Sequence, residues 1–322
     1  MKSCSVCNST TLKKQFEATS LDYSSDQKLD IVQCENCTHG ITSDVVNEIG
    51  LYEAGSYDAK EKIWHKLIRQ VLQVLEKNKV SYLKKLLPSN SHVLEIGAGK
   101  GNFLLALRDG GFQIAGIEPS QRSFPIAAEK LGDCVVNCTI EEISLYPKIN
   151  RKYNAIVFWH VLEHLQNPGA IVESVKNYLL PGGLLMIAVP NFNSLQAKFG
   201  KEKWYHLDPS RHLSHFTPQS LTNLLEKKGF GVKKIYFDSF FQNFVGEMIT
   251  WTNKISPMSN IIFNTLRLNK FYFEKTGKIG VFILFIYSFA ISLILAPFAF
   301  VWTFGTQIVR RSGTMVCLCK IN

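Results

Sequence analysis

Two periods of apolar and polar residues divide this chain. From His92 onward, short apolar runs bounded by turn residues recur: "HVLEIG", "FQIAGIE", "CVVNC", "YNAIVFW" and "LLMIAVP". Such runs read as buried strands. Between them lie stretches of helical spacing, such as "FLLALRDGG" and "PIAAEKLG". The alternation predicts an α/β fold around a parallel sheet. "SLTNLLEKKGF" adds a helix ended by Gly229, "GVKKIYFDS" the next strand, and "TMVCLCKI" a strand near the chain's end. Upstream, residues 61–87 show a helical stripe of Trp64, Leu67, Ile68, Val71, Leu72 and Leu75, which reads as core-facing.

One segment fits neither period. From Ile279 to Val309 no residue is charged, a length that passes the test for bilayer insertion. Pro297 sits within it and is expected to break a helix there, leaving arms of 18 and 12 residues. Basic residues flank both ends: Lys275 and Lys278 before, Arg310 and Arg311 after. Both flanks therefore favour the cytoplasmic side. "SNIIFNTLRLNKFYF" reads as an amphipathic neighbour in the interface.

The formal charge of +10 favours anionic partners: phosphates, nucleic acid or an anionic membrane. The N-terminus lacks the apolar core of a secretory signal, so a reducing compartment is expected. Of eight cysteines, Cys134, Cys138, Cys317 and Cys319 sit in apolar contexts. The other four form two Cys-x-x-Cys pairs, Cys4 with Cys7 and Cys34 with Cys37, flanked by strand-like runs. Two such knuckles place four thiolates around zinc, which predicts a zinc ribbon whose metal supplies much of its folding energy.

The chemistry begins at "VLEIGAGKGNFLLAL". The spacing is Glu95-x-Gly97-x-Gly99-x-Gly101, which fits neither the triphosphate loop nor the dinucleotide fingerprint. It lets backbone approach a ligand beside a carboxylate, and an ammonium group suits that carboxylate. Glu118 ends the next strand, where an acidic group can accept bonds from ribose hydroxyls. A ligand with a ribose and a cationic amino-acid part fits both, and S-adenosylmethionine has both.

With these residues in view, residues 88–243 resemble class I S-adenosylmethionine-dependent methyltransferases. "VLEIGAGKGNF" is similar to the family's first motif and "GIEPS" to its second; "NCTIEEI" resembles the loop along the adenine. The resemblance implies cofactor contacts from Glu95, Gly97, Gly99, Gly101, Glu118, Pro119, Ile140 and Glu141. "YNAIVFWHVLEHLQNP" resembles the fourth strand and the helix after it, with Asn154 where the family usually has Asp. "VLEH" and the later "DPSRHLSHFTPQSL" are similar to ubiquinone-type O-methyltransferases and to sugar-modifying enzymes of polysaccharide clusters, several of which carry an N-terminal cysteine-rich zinc module. The implied fold is a Rossmann-like seven-stranded sheet, with a zinc ribbon before it and a hydrophobic helical hairpin inserted before the last strand. The expected units are a ribbon at 1–45, a helical linker at 46–90, the cofactor-binding core at 91–243, a membrane-associated insertion at 244–311 and the final strand at 312–322. Because the family pairs its last two strands, the ends of the insertion must meet, and a re-entrant or monotopic hairpin over 279–309 satisfies that.

Methyl transfer needs an aligned nucleophile and a group that takes its proton. His160, Glu163 and His164 follow the fourth strand at i, i+3, i+4 spacing, which suits a general base or, as the related quinone enzymes imply, a divalent metal; alternatively Glu163 caps or salt-bridges and one histidine packs. "WYHLDPSRHLSHF" supplies Arg211, His212 and His215 for a lid over an acceptor bearing hydroxyls or phosphate; alternatively its histidines cap the helix starting near Thr217 and Pro218. The expected activity is methylation of a nucleotide-linked or lipid-linked saccharide at the cytoplasmic membrane face. A quinone-like or other lipid is the alternative acceptor. Other classes are a nucleic-acid-binding ribbon, which lacks an aromatic–basic stacking array here, or a non-catalytic cofactor scaffold. The oligomeric state is left open.

Overall fold

A computed structural model describes residues 3–23, 25–43 and 75–321. Most of the predicted helical stretch 61–87, with its stripe from Trp64 to Leu72, lies outside the described residues; residues 75–84 are helical.

The cysteine module contributes β1 (Leu12–Ala18), β2 (Leu29–Cys34) and β3 (Gly40–Thr42). The core then alternates strand and helix: β4 (His92–Ile96), α1 (Asn102–Asp109), β5 (Gln113–Ile117), α2 (Ser123–Leu131), β6 (Val135–Val136), β7 (Tyr153–Trp159), α3 (Pro168–Ser174), β8 (Leu179–Pro190) and α4 (Leu195–Gly200). A two-residue strand, β9 (Ser214–His215), precedes α5 (Pro218–Lys227) and β10 (Phe230–Tyr236). Then come α6 (Phe240–Ile255), α7 (Ile261–Leu266), α8 (Lys270–Thr276), α9 (Lys278–Ile308) and β11 (Thr314–Ile321).

The main sheet has the order β10-β11-β8-β7-β4-β5-β6. Only β11 runs against the rest, pairing antiparallel with both β8 and β10. Alternation along β4 explains why helices cover both faces. Val93 packs with Phe103, Leu104 and Leu107 of α1, whereas Leu94 and Ile96 pack in the cluster containing Leu221 and Leu224 of α5. Connections leave β4 toward β5 on one side, while β7 lies on the other. This switch point opens a crevice at the carboxyl ends of the strands. Asn154 serves the strand start as an Asp would: its side-chain oxygen accepts from the His92 N–H at 2.8 Å.

The second sheet, β1-β2-β3-β9, joins the cysteine module to the core. Gly40 pairs with His215 and Ile41 with Ser214. Thr42 Oγ1 donates to the His212 carbonyl oxygen at 2.7 Å and lies 2.8 Å from His215 Nε2.

The insertion differs from expectation. α9 is one continuous helix of 31 residues, with Pro297 inside it, and not a hairpin. Proline forfeits one backbone bond, and here the ring stands on the helix's exposed side without deflecting the chain into a turn. α6 and α9 form the antiparallel pair instead: Thr252 Oγ1 meets Ser292 Oγ at 3.2 Å, and Tyr287 Oη donates to the Ile255 carbonyl oxygen.

Candidate functional site

The glycine turn comes directly after β4. Gly97, Gly99 and Gly101 have φ of 72°, 56° and 74°, in the left-handed region. They differ in surroundings. A β-carbon at Gly97 would meet Val161 Cγ2 at 2.6 Å, and one at Gly101 would meet Leu131 Cδ1 at 2.6 Å. At Gly99 it would meet no described atom within 4 Å. Gly97 and Gly101 are therefore needed for packing, while Gly99 borders open space of the kind a ligand fills. Glu118, at the end of β5, accepts from the N–H groups of Gly99 at 2.6 Å and Ser120 at 2.9 Å, which fixes its carboxylate beside that space. Burial raises its pKa.

Glu95 lies under the turn, buried, with one carboxyl oxygen unpartnered among the described residues. Burial pushes its pKa well up and Lys79 opposes this. A cationic ligand would restore its charge, which is what the ammonium of the expected cofactor requires. Of the remaining expected contacts, Pro119 and Glu141 are exposed and Ile140 is buried at the start of a short helical turn. Lys79 lies 4.7 Å from the Trp159 ring centre and pairs with Glu76 at 2.8 Å, so the helix at 75–84 covers this side of the crevice.

A cavity of about 910 Å³ continues from Trp159 toward the cysteine module and α6. His160, Glu163, His164, Arg211 and His212 all line it; His215 does not. His215 is buried against Thr42 and Phe192 instead. Thr217, and none of the histidines, caps α5, accepting from the Ser220 N–H. Of the trio after β7, Glu163 and His164 sit on a short turn, Leu162–His164, and His160 precedes it at φ 54°. Strain of this kind in a non-glycine residue is typical of functional positions. His160 Nδ1 is 3.1 Å from the Oε1 of buried Glu163, and its Nε2 is 2.6 Å from the Gln242 amide nitrogen on α6. A carboxylate on Nδ1 holds the proton there and leaves Nε2 as the basic nitrogen.

A family model described as a methyltransferase domain matches residues 63–235, more than half of the chain. The chain belongs to the methyltransferase-domain family. It is an S-adenosylmethionine-dependent methyltransferase. It is 29% identical over 197 residues, 57% of this chain and 90% of the relative, to an uncharacterized methyltransferase of Geobacillus sp. (strain WCH70). It is 31% identical over 104 residues, 31% of this chain, to a ubiquinone biosynthesis O-methyltransferase of Paraburkholderia phytofirmans, and 26% over 146 residues, 42% of this chain, to one of Dinoroseobacter shibae. The matches span 45% and 58% of those two enzymes' lengths. Among solved structures, a SAM dependent methyltransferase from Archaeoglobus fulgidus aligns over 80% of this chain and all of its own, at 18% identity and a TM-score of 0.47.

The methyltransferase has two groups of side chains suited to a metal among its described residues. The sulfurs of Cys4, Cys7, Cys34 and Cys37 lie within 4.8 Å of one another, and two pairs are 3.5 Å apart. A tetrahedron with Zn–S of about 2.3 Å has edges of about 3.8 Å, so the set fits a structural zinc. Both knuckles are built alike. The N–H groups of Asn8 and Thr38, both at positive φ, donate to the carbonyls of Cys4 and Cys34 at 2.9 Å. Burial works to raise the Cys34 thiol, but the Cys37 and Asn36 N–H groups and neighbouring thiols outweigh it and lower it to about 7.

The second group is Glu163, His164 and His212, again within 4.8 Å. It differs from the expected trio because His160 turns toward Glu163 Oε1 and Gln242, and His212 arrives from the lid. Glu163 Oε2 is buried and unpartnered among the described residues. The Nδ1 atoms of His164 and His212 face the carbonyls of Arg211 and His206, which makes each Nε2 the acceptor nitrogen. The donor set fits a divalent cation.

Sequence reasoning overlooked several lining residues. Gln242 lies in the first turn of α6, with no local chemical signature. Asp22, from the loop after β1, reaches Arg211 at 3.3 Å, a contact between residues far apart in the chain. Trp159, next to His160, was visible as an aromatic at a strand end.

Proposed function

We propose that this methyltransferase methylates a hydroxyl of a nucleotide-linked or lipid-linked saccharide at the cytoplasmic membrane face, with His160 as general base and Glu163 as its orienting partner. The His160–Glu163 pair at the mouth of the β7 end, facing a large mixed cavity, carries this reading. Bound S-adenosylmethionine supplies the electrophilic methyl group. The chain's own residues do the rest. The glycine turn and Glu118 hold the cofactor on one side. Gln242 occupies the hydrogen-bonding direction of His160 Nε2, so an acceptor hydroxyl takes its place and passes its proton to that nitrogen. Glu163 stabilises the resulting imidazolium. The wall around the acceptor carries Arg211 between Asp22 and Asp208, Asp238 bonded to the Tyr82 hydroxyl, and the flat apolar faces of Tyr205 and Phe263. The wall is largely apolar with a few charged groups, which suits an acceptor that pairs a hydroxylated head with an apolar portion.

Mass spectrometry of glycolipid and nucleotide-sugar pools with and without the gene tests the acceptor, which should lack one methyl group in the mutant. A change confined to quinone-like lipids would replace the saccharide reading. His160→Ala should lower turnover by roughly 10²–10⁴-fold and leave cofactor affinity nearly unchanged.

The Glu163, His164 and His212 group supports a second reading, in which a divalent cation orients vicinal hydroxyls of the acceptor. Activity that disappears on chelation and returns with Mg²⁺ or Mn²⁺, together with a His212→Ala loss as large as that of His160→Ala, would favour it.

A further inference from the structure

We infer that α9 lies flat in the membrane interface, seated lengthwise on the catalytic body, so that the acceptor cavity stands one helix layer above the lipid. This deepens the membrane-face reading and rests on it.

The polarity of α9 is inverted. A surface helix in water buries its apolar stripe and exposes polar residues. Here the buried positions are Val281, Ser288, Ser292, Ala299, Thr303 and Thr306. The outward positions include Phe282, Ile286, Phe289, Leu293, Val301 and Phe304. Phe282 is 67% exposed, Leu293 61% and Val301 71%, far along a helix with no charged side chain after Lys278. Leaving such a face in water costs about 25 cal/mol for each Å². Small and hydroxyl-bearing residues inside with large apolar ones outside is the arrangement of a helix whose outer solvent is lipid. Lys278 and Arg310, exposed at the two ends, suit anionic headgroups.

The inward stripe also fixes orientation. It is tied to the body along its whole length. Val281 packs with Ile261 and Tyr272 and Ser292 meets Thr252; beside the stripe, the half-exposed Phe300 ring lies 5.0 Å from that of Phe240. A helix of 31 residues is about 46 Å long, enough to cross a bilayer. Crossing would carry α6, α7 and α8 into the lipid with it. α6 is in no condition for that: its buried residues include Asn243, Glu247 and Asn253, which face the soluble core, and Gln242 reaches His160. Only a flat orientation exposes the outer face to lipid and keeps the cavity in water.

The same α6 connects surface and site. Phe240, Gln242 and Val245 line the cavity, while Phe240 packs on α9. The lipid plane is then about one interhelical distance, roughly 8–10 Å, from a cavity wall. That distance suits an acceptor whose head enters the cavity while its apolar tail stays in the interface.

The test is partition of the full-length protein onto phosphatidylcholine/phosphatidylglycerol vesicles, with Phe282→Gln, Leu293→Gln and Phe304→Gln measured separately. A flat helix places all three in the same layer, so each should weaken partition by a similar factor, about tenfold. A large effect at Leu293 alone would show a helix that crosses, overturning the flat orientation while the membrane-face reading stands. No vesicle binding by the wild type would overturn both. If, in that case, sedimentation shows a dimer that Leu293→Gln dissociates, a second copy covers the face.

Discussion

At the scale of single residues, the glycine turn separates packing from ligand space, and two substitutions distinguish them. Gly99→Arg places a side chain where no described atom lies within 4 Å, at a cost of roughly 1–2 kcal/mol for positive φ. The protein should fold and fail to bind S-adenosylmethionine in calorimetry. Gly97→Ala drives a methyl group to 2.6 Å from Val161, so it should lower the melting temperature markedly. Unaltered cofactor binding by Gly99→Arg would remove the assignment of that turn. The buried histidines set a pH response. Burial pushes His206 and His215 down to about 3, with the nearby His160 charge adding to the effect at His206. Because the folded pKa lies below the unfolded value of about 6.5, the stability they contribute is present above pH 6.5 and is lost as pH falls toward 3. Glu118, raised by burial, works in the opposite sense, losing stability as pH rises through its folded value. Glu95 and Glu247, also raised by burial, share the sense of Glu118, so the histidine contribution shows in a difference: as pH falls from 6.5, the urea midpoint of His215→Asn should fall less steeply than that of the wild type. What was readable at this scale was geometry carried by local spacing: the left-handed glycine turn, Glu118 beside it, and the contact between His160 and Glu163. The partners were not. Gln242 and Asp22 reach the site through tertiary folding, and His212 rather than His160 joins Glu163 and His164 for the same reason.

At the scale of elements, alternating strand and helix signals foretold the sheet, because a strand buried on both faces must be apolar throughout. β9 was not foretold: two residues in a histidine-rich loop carry no period. Yet β9 brings the cysteine module into the cavity wall. β3 pairs with it, Thr42 holds the His212 carbonyl, and Leu21 and Asp22 line the cavity. The glycine turn is built without any of these contacts. Metal loss should therefore act on one half of the site. Protein prepared without chelator should hold about one zinc per chain. Cys37→Ser or metal stripping should reduce kcat/KM for the acceptor by at least tenfold and leave S-adenosylmethionine affinity nearly unchanged. Cofactor and acceptor affinities that fall together would mean that the module supports the whole fold.

At the scale of the molecule, the insertion between β10 and β11 shows where periodicity misleads. Proline in an apolar run predicted a break, but a helix packed along one side keeps its course, and the turn of the hairpin moved to α7 and α8. This geometry limits which deletions can close. The ends of α9 are about 46 Å apart, so removing residues 279–309 alone leaves flanks that no short linker joins. The ends that do meet are those of the paired strands, with Tyr236 opposite Val316. Excising residues 240–311 and bridging Ser239 to Ser312 with a short glycine–serine turn should preserve the antiparallel hairpin that closes the sheet. The shortened protein should leave the membrane fraction, because its large apolar surface is gone, and should bind S-adenosylmethionine, because the turn and Glu118 directly follow β4 and β5. It should not methylate any acceptor, soluble or lipid-linked, since the α6 wall of the cavity is lost with the insertion. Point substitutions on the outer face of α9 should do the reverse, sparing a soluble acceptor while impairing a lipid-linked one. If the excised protein aggregates without binding cofactor, while the outer-face variants also lose turnover on soluble acceptors, α9 belongs to the folding core and its exposed face is not a membrane surface.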